Sequence, residues 1–232
     1  MHNADDQVMA GSSSYDMKAD SYFEGARSDF VNELPENPAA QILEIGCSNG
    51  NTGALALAMN KCGKYVGVEI HRQAALKAEE KISQVLVGDI EQMELPWEHN
   101  TFDALILSEV LEHLVDPWRL LRRLHPYLKP GALVFASSPN VSHHRIIRML
   151  LKGEWNLTDD GIMDRTHLRW FTPKSFAAMF ENSGYQVVKL EPMSPFRFQV
   201  KLQIALMFGM GRHLFFKQIK IKAIRKNSSP DT

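Results

Sequence analysis

The sequence has few cysteines, no long hydrophobic run and almost no net charge, and each shortage excludes a class of protein. Two cysteines among 232 residues, Cys47 and Cys62, cannot form a disulfide framework or supply a four-ligand zinc site. Apolar stretches such as residues 204–208 fall far short of the roughly 20 residues that cross a bilayer. With 26 basic and 27 acidic residues, the formal net charge of −1 gives no overall reason to expect a nucleic-acid partner. We therefore expect a cytoplasmic protein with no metal centre, no transmembrane segment and no bound nucleic acid.

The chain has the composition of one ordinary globular domain, with 44% hydrophobic and 23% charged residues. Residues 1–20 are rich in Asp, Ser and Asn and lack the basic start and apolar core of a secretory signal, so we expect a mobile lead-in. A single domain is expected over residues 21–226, followed by a short tail over 227–232. The oligomeric state does not follow from the sequence.

Short apolar runs alternate with segments of helical periodicity from residue 41 onward. This alternation is typical of strands and helices in a mostly parallel sheet. The predicted strands are 41–46, 64–70, 84–90, 102–110, 132–138, 185–191 and 215–226. The predicted helices are 51–60, 73–82, 117–128, 172–184 and 200–210. The fold expected is α/β: a Rossmann-like, seven-stranded, mostly parallel sheet with helices on both faces and the last strand antiparallel.

A glycine-rich turn, GCSNGNTG, follows the first predicted strand over residues 46–53. In sheets of this kind the first strand-to-helix turn commonly holds a ligand. Gly46 and Gly50 allow backbone angles and close approaches that other residues do not. Ser48, however, stands where the dinucleotide pattern has a second glycine, so a dinucleotide fits poorly.

Acidic residues end the next two predicted strands. Glu69 lies 19 residues after Gly50, where a carboxylate can accept hydrogen bonds from both hydroxyls of a ribose. Asp89, in the sequence GDIE, is placed to meet an adenine amino group, with Ile90 as an apolar wall. An acid at a strand end is often only a solvated loop residue, but three consecutive strand ends together predict an adenosine-type cofactor.

These segments resemble the class I S-adenosylmethionine-dependent methyltransferases, and specifically the branch similar to ubiquinone-biosynthesis O-methyltransferases. The resemblance covers about residues 20–191. It rests on ILEIGCSNGNTG, YVGVEI, VGDIEQMELPWEHNTFDALILSEVLEHLVDP and LKPGALVFASSPN. It implies S-adenosylmethionine as cofactor and S-adenosylhomocysteine as product, and Ser48 is a mild departure from the commonest first motif.

The resemblance also implies a set of cofactor-binding residues. Gly46 and Gly50 would back the methionine portion, and Arg27, in a segment that resembles a family lid, would pair with the methionine carboxylate. The alternative for Arg27 is an ordinary solvated helix charge. The full implied set is Tyr22, Arg27, Glu44, Gly46, Ser48, Asn49, Gly50, Glu69, Ile70, Asp89, Ile90 and Ser108.

Candidates for the chemistry concentrate in an excursion over residues 139–171, which follows the fifth predicted strand. A hydroxyl acceptor needs a base, and neutral imidazole is available near pH 7. The candidate catalytic residues are His113, His143, His144, Asp164 and His167, and the sequence does not choose among the histidines. His113 is equally well a helix-start residue paired with Glu112.

The segment DRTHLRWFT, residues 164–172, resembles methyltransferases of bacterial polysaccharide clusters, which suggests a sugar-like acceptor. The alternative is a structural clasp, in which Asp164 caps a turn, Arg169 pairs with an acid, and Trp170 and Phe171 enter the core.

No Asp or Glu occurs over residues 192–230, a region with many Lys and Arg. We interpret most of this basic region as the solvated face of a final edge strand, where lysine discourages edge pairing. It could also contact an anionic surface or ligand.

The sequence thus predicts an S-adenosylmethionine-dependent methyltransferase that acts on a hydroxyl, less readily an amine, of a small-molecule or saccharide acceptor. Two alternatives stay open. One is a nicotinamide-dependent oxidoreductase that uses Glu69 on a ribose. The other is a non-catalytic subunit that keeps the fold for contacts with a partner.

Overall fold

A computed structural model of the chain describes residues 25–194 and 211–227. The predicted lead-in, the predicted helix over 200–210 and nearly all of the predicted tail lie outside the described residues.

Seven strands form one mixed sheet with the order β3-β2-β1-β4-β5-β7-β6. Parallel pairs join β1 to β2 and β2 to β3, whereas β7 is antiparallel to both β5 and β6. The strands are β1 (Gln41–Ile45), β2 (Lys64–Glu69), β3 (Gln84–Val87), β4 (Phe102–Ser108), β5 (Leu128–Pro139), β6 (Tyr185–Pro192) and β7 (Gln218–Arg225). The predicted Rossmann-like α/β fold with an antiparallel last strand is confirmed. The strand order reverses beside β1, the place where open α/β sheets bind nucleotides.

Six α-helices connect or flank these strands in the described residues. They are α1 (Ser28–Val31), α2 (Asn51–Ala58), α3 (Arg72–Glu79), α4 (Pro117–Leu124), α5 (His144–Leu150) and α6 (Pro173–Glu181). Short 3-10 turns occupy Leu111–His113, His125–Tyr127 and Arg212–Phe215. Within these residues, no helix combines the length and the apolar character needed to span a bilayer.

The chain divides into two compact units. Of the described residues, the first unit contains those from 25 to 106 together with Tyr127–Ala132, and the second contains Leu107–Pro126 and those from Leu133 onward. The single domain over residues 21–226 stays a prediction.

In the first unit, α2 packs closely against β2 because Gly53 has no side chain. A Cβ added at Gly53 would lie 2.5 Å from atoms of both Tyr65 and Ile82. Tyr65 is fully buried beneath the helix, and burial of a side chain of this size contributes about 1.5–3 kcal/mol. The glycine thus fixes how near the helix that follows the glycine-rich turn can approach the sheet.

In the second unit, helix caps fix the starts of α4 and α6. Asp116 accepts a hydrogen bond from the backbone N–H of Arg119 at 2.9 Å, and proline occupies the first turn. Thr172 and Ser175 form a reciprocal capping box at α6. Each cap involves residues within four positions of one another, so the starts of α4 and α6 are determined by a few adjacent residues.

The predicted end of α4 is wrong. The helix ends at Leu124, four residues early, and β5 already begins at Leu128. Pro126 disfavours helical geometry at His125, the residue before it. The buried His125 ring also bonds the backbone carbonyl of Gly184 at 3.1 Å, which holds the chain in its turn.

The interpretation of the last strand as an edge strand is also wrong. β7 lies between β5 and β6, and Ile219, Ile221 and Ala223 are fully buried. Lys220 is only 6% exposed, with its ammonium 3.7 Å from the Glu191 carboxylate. The alternation of apolar and polar residues predicted that this segment is a strand, but it did not predict which strands lie beside it. Contact of this basic region with an anionic surface stays a prediction.

Candidate functional site

The turn after β1 holds its shape through left-handed backbone angles. Gly46 has φ of +71° and Gly50 has φ of +76°, and Ser48 adopts φ of +51° between them. A Cβ at Gly50 would lie 2.9 Å from the Cα of Ala78, so α3 leaves no room for a side chain. The two predicted glycines therefore have the conformational role expected of them.

Glu69, at the end of β2, is fixed against this turn. One carboxylate oxygen accepts a hydrogen bond from the N–H of Ser48 at 2.8 Å, and the other accepts from the N–H of His71 at 2.9 Å. Burial raises the pKa of Glu69, and these two hydrogen bonds oppose the rise. A carboxylate has about four acceptor positions, so two bonded N–H groups leave capacity for two ribose hydroxyls.

Glu44, inside β1, is a buried acid with an unusual protonation state. Its carboxylate accepts a hydrogen bond from the Tyr65 hydroxyl at 2.9 Å. Burial raises the pKa of Glu44 to about 8, while that hydrogen bond and the positive charge of Arg27 oppose the rise and the charge of Glu69 adds to it. The protonated form of Glu44 therefore dominates at neutral pH.

The Arg27 side chain is not the ordinary solvated charge that the sequence left as an alternative. Its guanidinium bonds both carboxylate oxygens of Asp29, at 2.9 and 3.0 Å, and lies 3.7 Å above the Phe30 ring. Only 12% of the side chain is exposed. The pairing of Arg27 with a methionine carboxylate stays a prediction, and Tyr22 lies outside the described residues.

The remaining candidate cofactor-binding residues differ in their hydrogen bonds and in their burial. Asp89 accepts hydrogen bonds from the Glu91 N–H at 2.8 Å and the Gln92 side chain at 2.9 Å, which stabilises the turn after β3. Ile90, which follows it, is buried, and Ile70, which follows Glu69, is 50% exposed. Ser108 is the last residue of β4, in the second unit.

Asn49 supplies the test of whether this turn suits a cofactor. Its side-chain oxygen is buried, and among the described residues it has no hydrogen-bond partner. Buried acceptors are normally satisfied, so this oxygen marks a position for a donor that residues 25–194 and 211–227 do not provide. Together with the remaining acceptor capacity of Glu69, it fits a cofactor with hydroxyl and amino groups.

In the second unit, the structure brings together His113 and His167, two of the predicted catalytic residues. Their ring centroids lie 4.7 Å apart. Nδ1 of His113 lies 3.2 Å from the Thr166 carbonyl oxygen, and Nδ1 of His167 lies 3.2 Å from the Ile162 carbonyl oxygen. A carbonyl can only accept, so both rings carry their proton on Nδ1 in these bonds.

Glu112 completes what we call the Glu112 cluster: Glu112, His113 and His167. Their ligand atoms all lie within 4.8 Å of one another. Glu112 is 1% exposed, and in the part of the chain that the structure describes neither carboxylate oxygen has a hydrogen-bond partner. Burial raises the pKa of Glu112 well above its usual range, the charges of Glu109 and Asp164 add to this, and the nearby Ser138 hydroxyl opposes it.

Comparison with known proteins decides the family. A family model described as a methyltransferase domain matches residues 19–190. The chain belongs to the methyltransferase domain family. It is an S-adenosylmethionine-dependent methyltransferase, and the cofactor expected from the sequence is confirmed.

Curated relatives resemble the chain in sequence, and solved structures resemble it in fold. The ubiquinone biosynthesis O-methyltransferase of Xanthomonas axonopodis pv. citri is 28% identical over 195 residues, which cover 76% of each chain. The demethylmenaquinone methyltransferase of Lysinibacillus sphaericus is 27% identical over 114 residues, or 47% of this chain and 49% of that one.

A methyltransferase structure from Mesorhizobium loti has a TM-score of 0.61 at 18% identity and covers 87% of this chain and 99% of that one. The [4+2]-cyclase SpnF shares the fold, with a TM-score of 0.60 at 17% identity over 86% of this chain and 80% of that one.

The methyltransferase holds His143 and His144 as a second histidine pair, with ring centroids 4.2 Å apart. His143 caps α5, because its Nδ1 accepts a hydrogen bond from the Arg145 N–H at 3.4 Å. Burial lowers the pKa of His143 to about 4, and the neighbouring His144, Arg145 and Lys217 lower it further. His143 is thus neutral near pH 7, but its lone pair is directed to the backbone, which favours a structural role.

The DRTHLRWFT segment has the features of the clasp. Asp164 accepts hydrogen bonds from the Thr166 N–H at 2.9 Å and the Thr166 hydroxyl at 2.7 Å, and Phe171 is buried. Arg169, expected to pair with an acid, instead bonds the carbonyl oxygen of Val115. The N–H groups of Leu168 and Arg169 both donate to the Glu112 carbonyl, at 2.8 and 3.0 Å. The clasp therefore positions His167 beside Glu112.

Glu112 is the residue that sequence reasoning missed. From the sequence, Glu112 is only the partner of a helix-start His113. The available signal was an acid between Leu111 and Leu114, in a segment that otherwise follows a buried strand. An acid in such an apolar stretch becomes notable when burial removes its solvent.

Proposed function

We propose that this methyltransferase transfers a methyl group from S-adenosylmethionine to a hydroxyl oxygen of a small-molecule or saccharide acceptor. The observation that carries the proposal is the Glu112 cluster, because a hydroxyl group must give up its proton as the methyl group arrives. The relatives named O-methyltransferases support the choice of oxygen.

Residues of the first unit are suited to hold the cofactor. The bound cofactor supplies an electrophilic methyl group on a sulfonium. The Glu69 carboxylate, oriented by the N–H groups of Ser48 and His71, would accept hydrogen bonds from the ribose hydroxyls. Asn49 would offer its unsatisfied side-chain oxygen to a donor of the cofactor.

Residues of the second unit are suited to the acceptor. In the Glu112 cluster, the ring nitrogen opposite each bonded Nδ1 carries a lone pair that can draw a proton from a hydroxyl. Trp155 is 44% exposed and packs edge-on against Trp170, with centroids 5.4 Å apart. An exposed aromatic face of this kind can stack on a planar or sugar ring.

The test measures cofactor binding and methyl transfer separately. Calorimetry with S-adenosylmethionine, S-adenosylhomocysteine and NAD should show binding of the first two only. Methyl transfer from labelled S-adenosylmethionine is then screened against phenols, saccharides and amines. Labelled amines with no labelled hydroxyl compounds would contradict the proposal, and binding of NAD alone would favour an oxidoreductase.

Two substitutions separate the roles of the two units. Glu69→Gln should weaken S-adenosylhomocysteine binding about 10- to 100-fold, the cost of one or two hydrogen bonds to a charged group. His167→Gln should leave that affinity unchanged and lower methyl transfer about 100-fold or more. His99→Gln, an exposed histidine of the first unit, is the matched control. Equal loss of cofactor affinity in Glu69→Gln and His167→Gln would refute this division.

A further inference from the structure

We propose that the outer side of α5, together with the exposed loop that follows it, is the surface through which two copies of this chain form a symmetric dimer. We call this surface the α5 face and define it as residues 145–160, all of which belong to the second unit. The dimer goes beyond the proposed function and does not depend on it.

Helix α5 leaves an apolar stripe uncovered. Ile147, Leu150 and Leu151 are 37%, 47% and 81% exposed. Residues three and four positions apart lie on the same side of a helix, so these three side chains form one stripe. Ile146, which is 6% exposed, faces the interior instead. A helix of a soluble domain normally buries its apolar stripe, and none of the described residues covers this one.

The loop after α5 extends the apolar surface. Every residue from 150 to 161 is exposed, and Leu157 adds a large apolar side chain that is 45% exposed. The loop is nevertheless anchored to the helix, because the Glu154 N–H donates to the Met149 carbonyl at 3.1 Å. Exposed apolar surface that continues over neighbouring residues commonly marks an interaction site. Trp155, which the proposed function assigns to the acceptor, is not needed for this contact.

The charges of the α5 face are complementary to those of a second, inverted copy. Cations lie on α5 and directly after it, and carboxylates follow in the loop. The cations are those of Arg145, Arg148 and Lys152, and the carboxylates are those of Glu154, Asp159 and Asp160. Within residues 25–194 and 211–227, none of these cations has an ion-pair partner. In a two-fold dimer with antiparallel α5 helices, the basic end of each helix lies against the acidic loop of the other copy.

The same charges disfavour an anionic bilayer as the occupant of the α5 face. Segments that bind anionic lipid surfaces attract them through clustered Lys and Arg. Here three exposed carboxylates share the surface with three cations, so an anionic bilayer would repel about as many groups as it attracts. A second copy matches both signs and covers the apolar stripe, and two-fold dimers are the commonest soluble oligomers.

The experiment measures the mass of the full-length chain by sedimentation equilibrium over a wide range of protein concentration. The wild type should form a dimer. Leu151→Asp should weaken dimerisation at least about 100-fold, because it places a carboxylate in the apolar contact. Leu76→Asp, at a leucine of α3 that is 51% exposed, is the matched control and should leave the dimer intact. Circular dichroism and S-adenosylhomocysteine binding show that each variant is folded.

Two charge-reversed variants test the antiparallel arrangement. Arg145→Glu combined with Arg148→Glu should weaken dimerisation about 10-fold or more, because like charges then face each other. Glu154→Lys combined with Asp160→Lys should have the same effect. An equimolar mixture of these two double variants should form a dimer about as tightly as the wild type, because each reversed cation then meets a reversed carboxylate.

A chain that stays monomeric at every concentration would overturn the proposal, and so would a dimer that Leu151→Asp leaves intact. Failure of the mixed double variants to associate would overturn the antiparallel arrangement. A monomer that binds vesicles of anionic lipid, and loses this binding in Leu151→Asp, would replace the second copy by a membrane. A monomer that Leu151→Asp destabilises toward urea, while Leu76→Asp does not, would mean that the chain covers this face itself. The proposed function stands or falls separately, on cofactor binding and methyl transfer.

Discussion

Replacing Glu44 by Gln should make the unliganded protein more stable at alkaline pH. The pKa of Glu44 is about 8 in the folded chain and 4.5 as an ordinary Glu, chiefly because the carboxylate is buried. The folded state therefore holds a proton that the unfolded state releases between these two values. Stability linked to this proton is fully present below about pH 4.5 and is lost as the pH rises through 8.

The magnitude follows from the size of the shift. At 1.36 kcal/mol per pKa unit, the rise from 4.5 to about 8 removes roughly 3–5 kcal/mol from the free energy of unfolding by pH 8. Glutamine cannot ionise, and its amide oxygen can still accept the hydrogen bond from the Tyr65 hydroxyl. Glu44→Gln should thus nearly match the wild type at pH 5 and exceed it by roughly this amount at pH 8.

The assay is urea unfolding followed by circular dichroism at pH 5, 6.5 and 8. Glu79→Gln, an exposed acid at the end of α3, is the control and should change the free energy of unfolding little at any pH. A Glu44→Gln variant no more stable than the wild type at pH 8 would refute the reasoning. So would a gain in stability that is the same at pH 5 and at pH 8.

Three further substitutions test the packing by urea unfolding. Gly53→Ala should cost about 1–3 kcal/mol, because the new methyl group lies 2.5 Å from atoms of Tyr65; a neutral effect would mean that α2 shifts freely. Asn140→Ala should cost about 2–4 kcal/mol, because the Asn140 amide donates to two backbone carbonyls of the segment before β7 at 2.8 and 2.9 Å; a loss below about 1 kcal/mol would contradict this. Thr172→Ala should cost about 1 kcal/mol through the lost capping box with Ser175, whereas Thr172→Ser should be nearly neutral; equal losses in both would point to packing rather than capping.

Features that depend on adjacent residues were predictable from the sequence. The glycine-rich turn, the acid at the end of β2 and the cap of α4 at Asp116 are each specified within a few residues. The period of apolar residues predicted every strand, since burial on two faces leaves a local pattern. Most of the candidate cofactor residues lie in the first unit, and the local structure of that unit was therefore largely predictable from the sequence.

Features that depend on distant segments were not predictable. The place of β7 in the sheet is set by pairing with β5 and β6, and strand alternation carries no information about neighbours. The Glu112 cluster likewise depends on the clasp, which brings His167 beside a residue more than 50 positions earlier. Glu112 could not be singled out from the sequence, because only the fold shows that its side chain is removed from solvent.

The interior position of β7 also constrains how the protein is made. β7 is synthesised after β5 and β6, yet both of them pair with it. While the ribosome is still adding residues 193–217, β6 lacks its single neighbour in this sheet and β5 lacks one of its two neighbours. Unpaired strand edges invite pairing with other chains. The second unit can close its sheet only when residues 218–225 leave the exit tunnel, so a nascent chain that stalls before that point exposes two aggregation-prone edges.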